Sequence, residues 1–578
     1  MFFTRKKYSV VLFALIFGIR ISAQVEPGYE AGLKYIDQSN LKKHISFLAD
    51  DSLKGRGEGS KENLIAAMYV ANKFRAAGLK PLKSTEFVKP AKESDYNKPL
   101  NTEDENLYSG YLQKFSIQNV ELSADQGFQL MKTSGGSEIR LTYKYNQDFF
   151  IEYAGSDDIS VKAPLVFCGF GVNSPELRYN DFADKSGNEL DLKNKIAVIV
   201  DSYPEWIGNK MGRIPIEFRT IKKKVEYAEK KGALAVIVVR SPLVNDDPVD
   251  EKYKKAFVLF SRDHYRLQDQ LRNDIPVYYL TDKVANEIFT KQYGKKLSAI
   301  LDEMTSSKRP YAFEMDMSAS LSIKTKSTSI PMQNVAGFLE GTDPELKNEA
   351  IIICAHYDHL GYGYYGALDK SRIGQIHNGA DDNASGVAGI LELVRAFSAN
   401  RPKRSIIFLS FSGEEVGMLG SKYYVDYQPL FPIEKTVACL NLDMIGRNGS
   451  NFIWLVGAFQ GRDIINTVKS ANEKVGMDLF YNVGMLSMAS DQAYFLRKKI
   501  PSVFFYDNED TDYHTPSDKI SKVDFDKVER VSRLAYISGW TLANQKVHPQ
   551  YLDLTQQEKE ELVKESIVRF KKLNIENN

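Results

Sequence analysis

The sequence predicts a three-layer α/β fold, with helices on both faces of a mixed, mostly parallel sheet and a β-rich module inserted beside it. Three observations lead there. Between Asn334 and Gln545 five short runs are nearly all apolar (AIIICAH, RSIIFLSFS, TVACLNLDM, FIWLVG and PSVFFYD), as strands covered on both faces must be. Helical patterns alternate with them, most clearly from Gly386 to Ala399, where Val387, Ile390, Leu391 and Val394 share one stripe. From about Ile151 to Ser322 the composition shifts to short β-rich runs (APLVFCGFGV, KIAVIVDS, ALAVIVVRS, IPVYYL) separated by polar loops, which marks a separate module.

Taken in order, Arg5, Lys6 and Lys7 precede an apolar run from Tyr8 to Ile19, which is followed by the small residue Ala23. That is the pattern of a signal peptide cleaved near Ala23, and the run falls short of the roughly 20 residues that span a bilayer. An exported protein, periplasmic or extracellular, is expected, with no membrane span in the mature chain. Two helices follow between about Gly32 and Leu82, one with Leu41, Ile45, Phe47 and Leu48 on its apolar face, the other with Leu64, Ala67, Val70, Ala71 and Phe74. The break between them, SLKGRGEGS, holds three glycines and signals a turn with unusual backbone demands. A strand is expected over Tyr111 to Ile117, and a helix over Ile221 to Lys231 with Gly232 ending it. The charged stretch from Thr555 to Leu573 reads as a surface helix.

With 578 residues the chain exceeds a single core and divides into domains. Its 76 basic and 75 acidic residues nearly cancel, which argues against nucleic acid or an anionic membrane as partner. Cys168, Cys354 and Cys439 each lie in an apolar run without paired spacing, so buried free thiols are expected rather than disulfides.

In open α/β sheets ligands sit at the carboxyl ends of strands, and these ends carry the chemistry here. His356 and Asp358 follow IIICA, Glu414 and Glu415 follow IIFLSFSG, Asp443 follows VACLNL, and His514 comes shortly after SVFFYD. NGADDNASG adds Asp381 and Asp382 just before a helix. Imidazole and carboxylate donors in this ratio suit zinc. Three ligand carboxylates against two Zn²⁺ and a bridging hydroxide bring the site near neutrality, so two metals fit better than one.

The motifs AHYDHLG, NGADDNASGVA, FSGEEVGMLGS, NLDMIGR and YHTPSD resemble, in order and spacing, the signatures of the co-catalytic two-zinc aminopeptidase family, which includes secreted bacterial aminopeptidases, glutamate carboxypeptidase, glutaminyl cyclases and the transferrin receptor. The resemblance implies a division into a signal peptide (1–23), an N-terminal part of the peptidase domain (24–150), an inserted protease-associated (PA) domain (151–325) that covers the site or restricts substrate size, a catalytic domain (326–550) and a helical tail (551–578). It implies two Zn²⁺ per chain, His356 and Asp443 completing one, Glu415 and His514 the other, with Asp381 and a water or hydroxide bridging them. Glu414 would be the general base, Asp358 the orienter of His356, and Tyr513 the oxyanion donor, with Tyr506 as the other candidate. A cis peptide bond is expected between Asp381 and Asp382. His359 and His377 match no ligand position and are read as loop residues. Peptides are the implied substrates, cleaved at a free N-terminus. A carboxypeptidase or dipeptidase, a glutaminyl cyclase and an inactive receptor-like protein are the alternatives on the same fold, and the intact Glu414 and ligand set favour the peptidase.

Overall fold

The apolar runs form strands because, with no polar side to present, each is stable only when sandwiched. The computed structural model describes residues 24–82, 100, 105–153, 155–204, 206, 220–242, 265–267, 275–310, 312–457, 462–482, 488–508, 510–552 and 554–576. The predicted signal peptide lies outside them. The main sheet contains β1 (Leu112–Leu122), β2 (Thr325–Leu339), β3 (Ala350–His356), β4 (Ser405–Phe411), β5 (Thr436–Leu442), β6 (Phe452–Val456), β7 (Asp478–Asn482) and β8 (Ser502–Tyr506), in the order β1-β2-β4-β3-β5-β8-β6-β7. It is parallel through its four central strands, β4-β3-β5-β8, while β1, β2 and β6 join antiparallel. β6 and β7 also pair parallel, but the ends of the four central strands are the ones that carry the candidate ligands.

Both faces are covered. Gln38–Leu48 (α1), Lys61–Ala76 (α2), Gly386–Ala399 (α3), Arg462–Asn472 (α4) and Phe525–Asn544 (α6) bury their apolar stripes on one face, and Gln492–Arg497 (α5) packs on the other. Along β3 the alternation is direct, with Ile351, Ile353 and Ala355 in the first cluster and Ile352 and Cys354 in the second. The helix starts are chemically marked, since Asp37 caps α1 through the Asn40 amide and Ser60 caps α2 through that of Asn63. All three cysteines are free and buried, as expected. The charged tail is helical over Gln556–Glu576, and its Ser566 hydroxyl accepts the Tyr481 amide of β7. No helix among the described residues is long and apolar enough to cross a membrane.

The second sheet has eight strands in the order 137–143, 127–134, 313–323, 159–167, 196–201, 235–240, 277–280 and 149–152. It begins at Gly127, earlier than the expected 151. Composition hid this because the Ser137–Tyr143 strand is almost wholly exposed and lacks the apolar alternation that identifies a half-buried strand. The module sits at the end of a ribbon in which β1 and β2 pair antiparallel from Leu112 opposite Val335 to Leu122 opposite Thr325.

The SLKGRGEGS break meets its backbone demands with three successive left-handed residues, Lys54 (φ 45°), Gly55 (φ 75°) and Arg56 (φ 53°). At Gly55 a Cβ would stand 2.2 Å from the His377 carbonyl oxygen. The turn delivers Arg56, 1% exposed, under the strand ends, where its guanidinium donates to the carbonyl oxygens of Leu48 (2.5 Å), Tyr357 (2.7 Å), Asn378 (2.7 Å) and Gly379 (3.0 Å). Burial lowers its pKa to about 10, against the opposing pull of Asp382, Asp518, Asp358 and Glu415, so it stays a cation at neutral pH. Arg56→Met, which keeps the bulk but orphans four buried carbonyls, should destabilise the fold by about 3–5 kcal/mol in denaturant titration. An unchanged midpoint would show that these bonds carry no net weight.

Candidate metal centre

Four adjacent parallel strands deliver side chains to one rim. His356 is the last residue of β3, Glu414 and Glu415 follow the Ser412–Gly413 turn after β4, Asp443 follows β5 directly, and His514 comes eight residues after β8. His514 adopts the left-handed conformation (φ 53°), as does Met444 beside Asp443 (φ 54°). Such backbone costs about 1–2 kcal/mol per non-glycine residue and persists only where the surroundings dictate it.

His356, Asp358, Glu415, Asp443 and His514 are all buried. The structure does not bring Asp381 into this group. Its neighbour Asp382 stands there, Oδ1 3.3 Å from His356 Nε2 and Oδ2 3.3 Å from His514 Nε2. Asp381 faces the other way, its Oδ1 accepting the Gly446 amide at 2.7 Å. The assignment is corrected accordingly: two successive carboxylates in a tight turn leave it on opposite sides, and only one reaches the imidazoles. The cis peptide bond shifts with it, to Asp382–Asn383. Asp518 holds the turn, its carboxylate accepting the amides of Asp381 and Asp382 at 3.0 Å each.

Two donor groups share Asp382. His356, Asp382 and Asp443 form one, with His356 Nε2 3.1 Å from Asp443 Oδ1. Around the other oxygen, His514 Nε2 is 3.0 Å from Glu415 Oε2, and a further histidine joins: His359 is fully buried with Nδ1 2.6 Å from Glu415 Oε1. His359 is therefore no bystander in a loop, contrary to its expected place. His377 is buried too, its Nδ1 against the Gln375 carbonyl rather than in either donor group.

Neighbouring groups orient these donors. Gly366 O lies 2.9 Å from His514 Nδ1, which puts the proton on Nδ1 and leaves the Nε2 lone pair facing the carboxylates. Asp358 Oδ1 is 3.5 Å from His356 Nδ1, and its Oδ2 accepts the Glu415 amide. The Ser490 hydroxyl donates to Asp443 Oδ2 at 2.7 Å. Tyr513 stacks on the His514 ring (centroids 3.9 Å apart), while Tyr506 sits in a small apolar cluster with Met444 and Phe504. Asp518, Ser490 and Arg56 escaped sequence reasoning because each lies in a polar context that a turn or cap explains equally well.

The electrostatics call for a cation. Burial disfavours charge on His356 and His514, yet Asp443 beside the first and Glu415 beside the second, with Asp382 against both, push the two imidazoles well above their ordinary range. Asp382 and Glu415 are held low despite burial, Glu415 down to about 2, by the histidines around them. Protons on the imidazoles here stand in for the positive charge of metal ions, and the nitrogen and oxygen donor set fits zinc.

Residues 334–537 match the model of Peptidase family M28. Over 239 residues the chain is 28% identical to Aminopeptidase YwaD of Bacillus subtilis, covering 39% of this chain and 47% of that protein. A probable zinc metalloprotease of Pyrenophora teres f. teres is 24% identical over 312 residues, 44% of this chain and 62% of the relative. In both cases the match spans less than two thirds of the relative's length. The aminopeptidase from Aneurinibacillus sp. strain AM-1 shares the fold, with a TM-score of 0.50 at 20% identity over 91% of this chain and 99% of that one. The stretch that resembles peptidase family M28, residues 334–537, takes in the strand ends and loops that carry these donors.

Proposed function

We propose that the chain is a zinc-dependent exopeptidase, an aminopeptidase that removes N-terminal residues from peptides, using two Zn²⁺ held by His356, Asp382, Asp443, Glu415 and His514. Export through the N-terminal segment, and a protease-associated role for the inserted module, belong to the same reading. The observation that carries it is the shared carboxylate: one oxygen of Asp382 faces His356 and the other faces His514, so a single residue joins two donor groups. The similarity to an aminopeptidase and to zinc metalloproteases supports the reaction class.

Zinc, when bound, supplies the Lewis acidity that polarises a peptide carbonyl and makes water a stronger acid. Glu414 accepts the proton of the attacking water and returns it to the leaving amine. Burial, with Asp443, Asp491 and Glu415 nearby, pushes its carboxyl well above the usual range against the opposing His356, as suits a group that must both take and release a proton. Asp358 and Gly366 hold the two imidazoles, and the Tyr513 phenol, carried against His514, is the candidate donor to the carbonyl oxygen.

Three measurements test this. Peptides with a free N-terminus should be cleaved and N-terminally blocked ones spared, with activity lost to a chelator and restored by zinc; equal cleavage of both would reject the aminopeptidase assignment. Glu414→Gln should lower kcat about 10²–10⁴-fold with the zinc content of the wild type, and wild-type turnover would remove Glu414 from its role. Asp382→Asn should lose bound zinc by elemental analysis while Asp381→Asn keeps it. The reverse pattern would restore Asp381 as the bridge.

A further inference from the structure

Among the described residues eleven large apolar side chains are exposed, and four of them fall within one stretch of twelve residues: Tyr362 (38% exposed), Tyr364 (78%), Leu368 (59%) and Ile373 (42%). Scattered singly, such residues need no account; gathered on one loop they mark a surface that binds something. The loop runs between His359 and His377, and its backbone is fastened to the metal centre. Gly366 O accepts from His514 Nδ1 at 2.9 Å, and the Leu368 amide donates to the His514 carbonyl at 3.2 Å. The loop then doubles back at Gly374 (φ 90°), whose amide donates to the Tyr362 carbonyl at 2.8 Å. This return brings the segment holding Ile373 beside the tyrosines, whose ring centroids are 6.4 Å apart, and a Cβ on Gly374 would stand 4.0 Å from the Tyr364 hydroxyl. The inner side of the loop is held in place. Ala367 is buried, Tyr365 meets Tyr265 edge-on, and Arg372 donates to the Ser517 hydroxyl at 2.7 Å. The exposed side chains thus stand on ordered backbone, which lowers the entropy cost of laying a ligand across them.

We propose that Tyr362, Tyr364, Leu368 and Ile373 form a shelf for apolar side chains of the peptide downstream of the residue being removed. The inference rests on the aminopeptidase reading and gives it a substrate class, peptides with aromatic or aliphatic residues just beyond the scissile bond. An aminopeptidase substrate ends at the metal centre, because its first residue is the one released. Nothing precedes that residue, and a surface as open as Tyr364 cannot enclose its side chain, so it is the rest of the peptide that crosses the shelf. An extended chain advances about 3.3 Å per residue, which brings the next few residues over a surface that begins beside His514. The loop's own charges, Asp369 against Lys370 and Arg372, nearly cancel and give an anionic membrane little hold.

Two peptide sets test this on the zinc-loaded, full-length chain. Both have a free N-terminus and the same first two residues, and the third to fifth positions carry either Phe and Leu or Ser. The wild type should favour the apolar set by about 10-fold in kcat/KM, with the difference in KM, as partial burial of two or three such side chains allows. Tyr364→Ser combined with Leu368→Ser should bring that ratio to about 1 at an unchanged thermal midpoint, since both side chains stand in water. Ile373→Ser, on the returning half of the loop, should lower the ratio in part. A wild type without the preference, or a double variant that keeps it, overturns the shelf. If the double variant keeps the preference but loses dimerisation in sedimentation, or binding to phosphatidylcholine vesicles, the face belongs to a second copy or to a lipid surface instead. If neither set is cleaved, the aminopeptidase reading fails, and the shelf is decided by the same ratio in calorimetric binding of the peptides to these chains.

Discussion

The molecule is organised around a concentration of buried carboxylates that its own side chains do not neutralise. Asp358, Asp382, Glu415 and Asp443 meet at the ends of four parallel strands, where burial makes unbalanced charge costly. Each is steadied locally: Asp443 by the Ser490 hydroxyl, Asp358 by the Glu415 amide, Glu415 by His359 Nδ1, and the Asp382 turn by Asp518. Arg56 is a buried cation of the region, and its four donor bonds go to backbone carbonyls rather than to these carboxylates. It acts on the site as a field from below while its fork ties the residue after β3 to the residues before the Asp382 turn. The remaining charge is left for metal, and the elevated proton affinity of His356 and His514 registers that deficit.

The placement of the donors follows from topology. β3 lies between β4 and β5 although the chain runs β3, β4, β5, so the connection after β4 must cross β3, and the strand ends diverge there into a crevice. This is why side chains far apart in sequence fall within hydrogen-bond distance, as His514 Nε2 does with Glu415 and with Asp382. Asn441 near the end of β5 adds a polar layer beneath, donating to Ser490 and Gln492 and accepting from Cys354. Cys354 and Cys439 meet at 3.7 Å in that layer and serve as packing atoms under the site.

What was legible in the sequence divides along physical lines. The apolar strands, the helix Gly386–Ala399, the turn around Gly55 and the donor-bearing strand ends were all readable, because each is dictated by local pattern: full burial, a 3.6-residue period, glycines where the backbone turns left-handed. What failed was direction. Asp381 and Asp382 are chemically identical neighbours, and their difference arises from a turn that sends one side chain to Gly446 and the other to the imidazoles. His359 reads as a loop residue in the sequence because the backbone that closes on its ring, at Gly379, lies twenty positions away. The 127–143 hairpin was missed for the opposite reason, since its outer strand buries almost nothing that could leave a pattern.

The inserted module raises the question of how far it acts on the site at all. Its two ends leave and rejoin the main sheet at neighbouring points, with the Ser123 amide donating to the Lys324 carbonyl at 2.9 Å, so the main sheet closes without it. One short piece nevertheless returns. Tyr265–Leu267 pairs antiparallel with β1 at the edge of the main sheet, and Tyr265 meets Tyr365 edge-on at 5.3 Å. Tyr365 adjoins Gly366, whose carbonyl fixes the proton of His514 on Nδ1. Ring, backbone carbonyl and imidazole are therefore in direct succession, and a shift of this edge strand by even a fraction of an ångström would be felt by the imidazole itself, because a close-packed interior transmits displacement instead of absorbing it. The module's mechanical access to the metal centre runs through a loop that carries no metal donor, which makes the backbone at Gly366 as much a part of the site as the side chains around it.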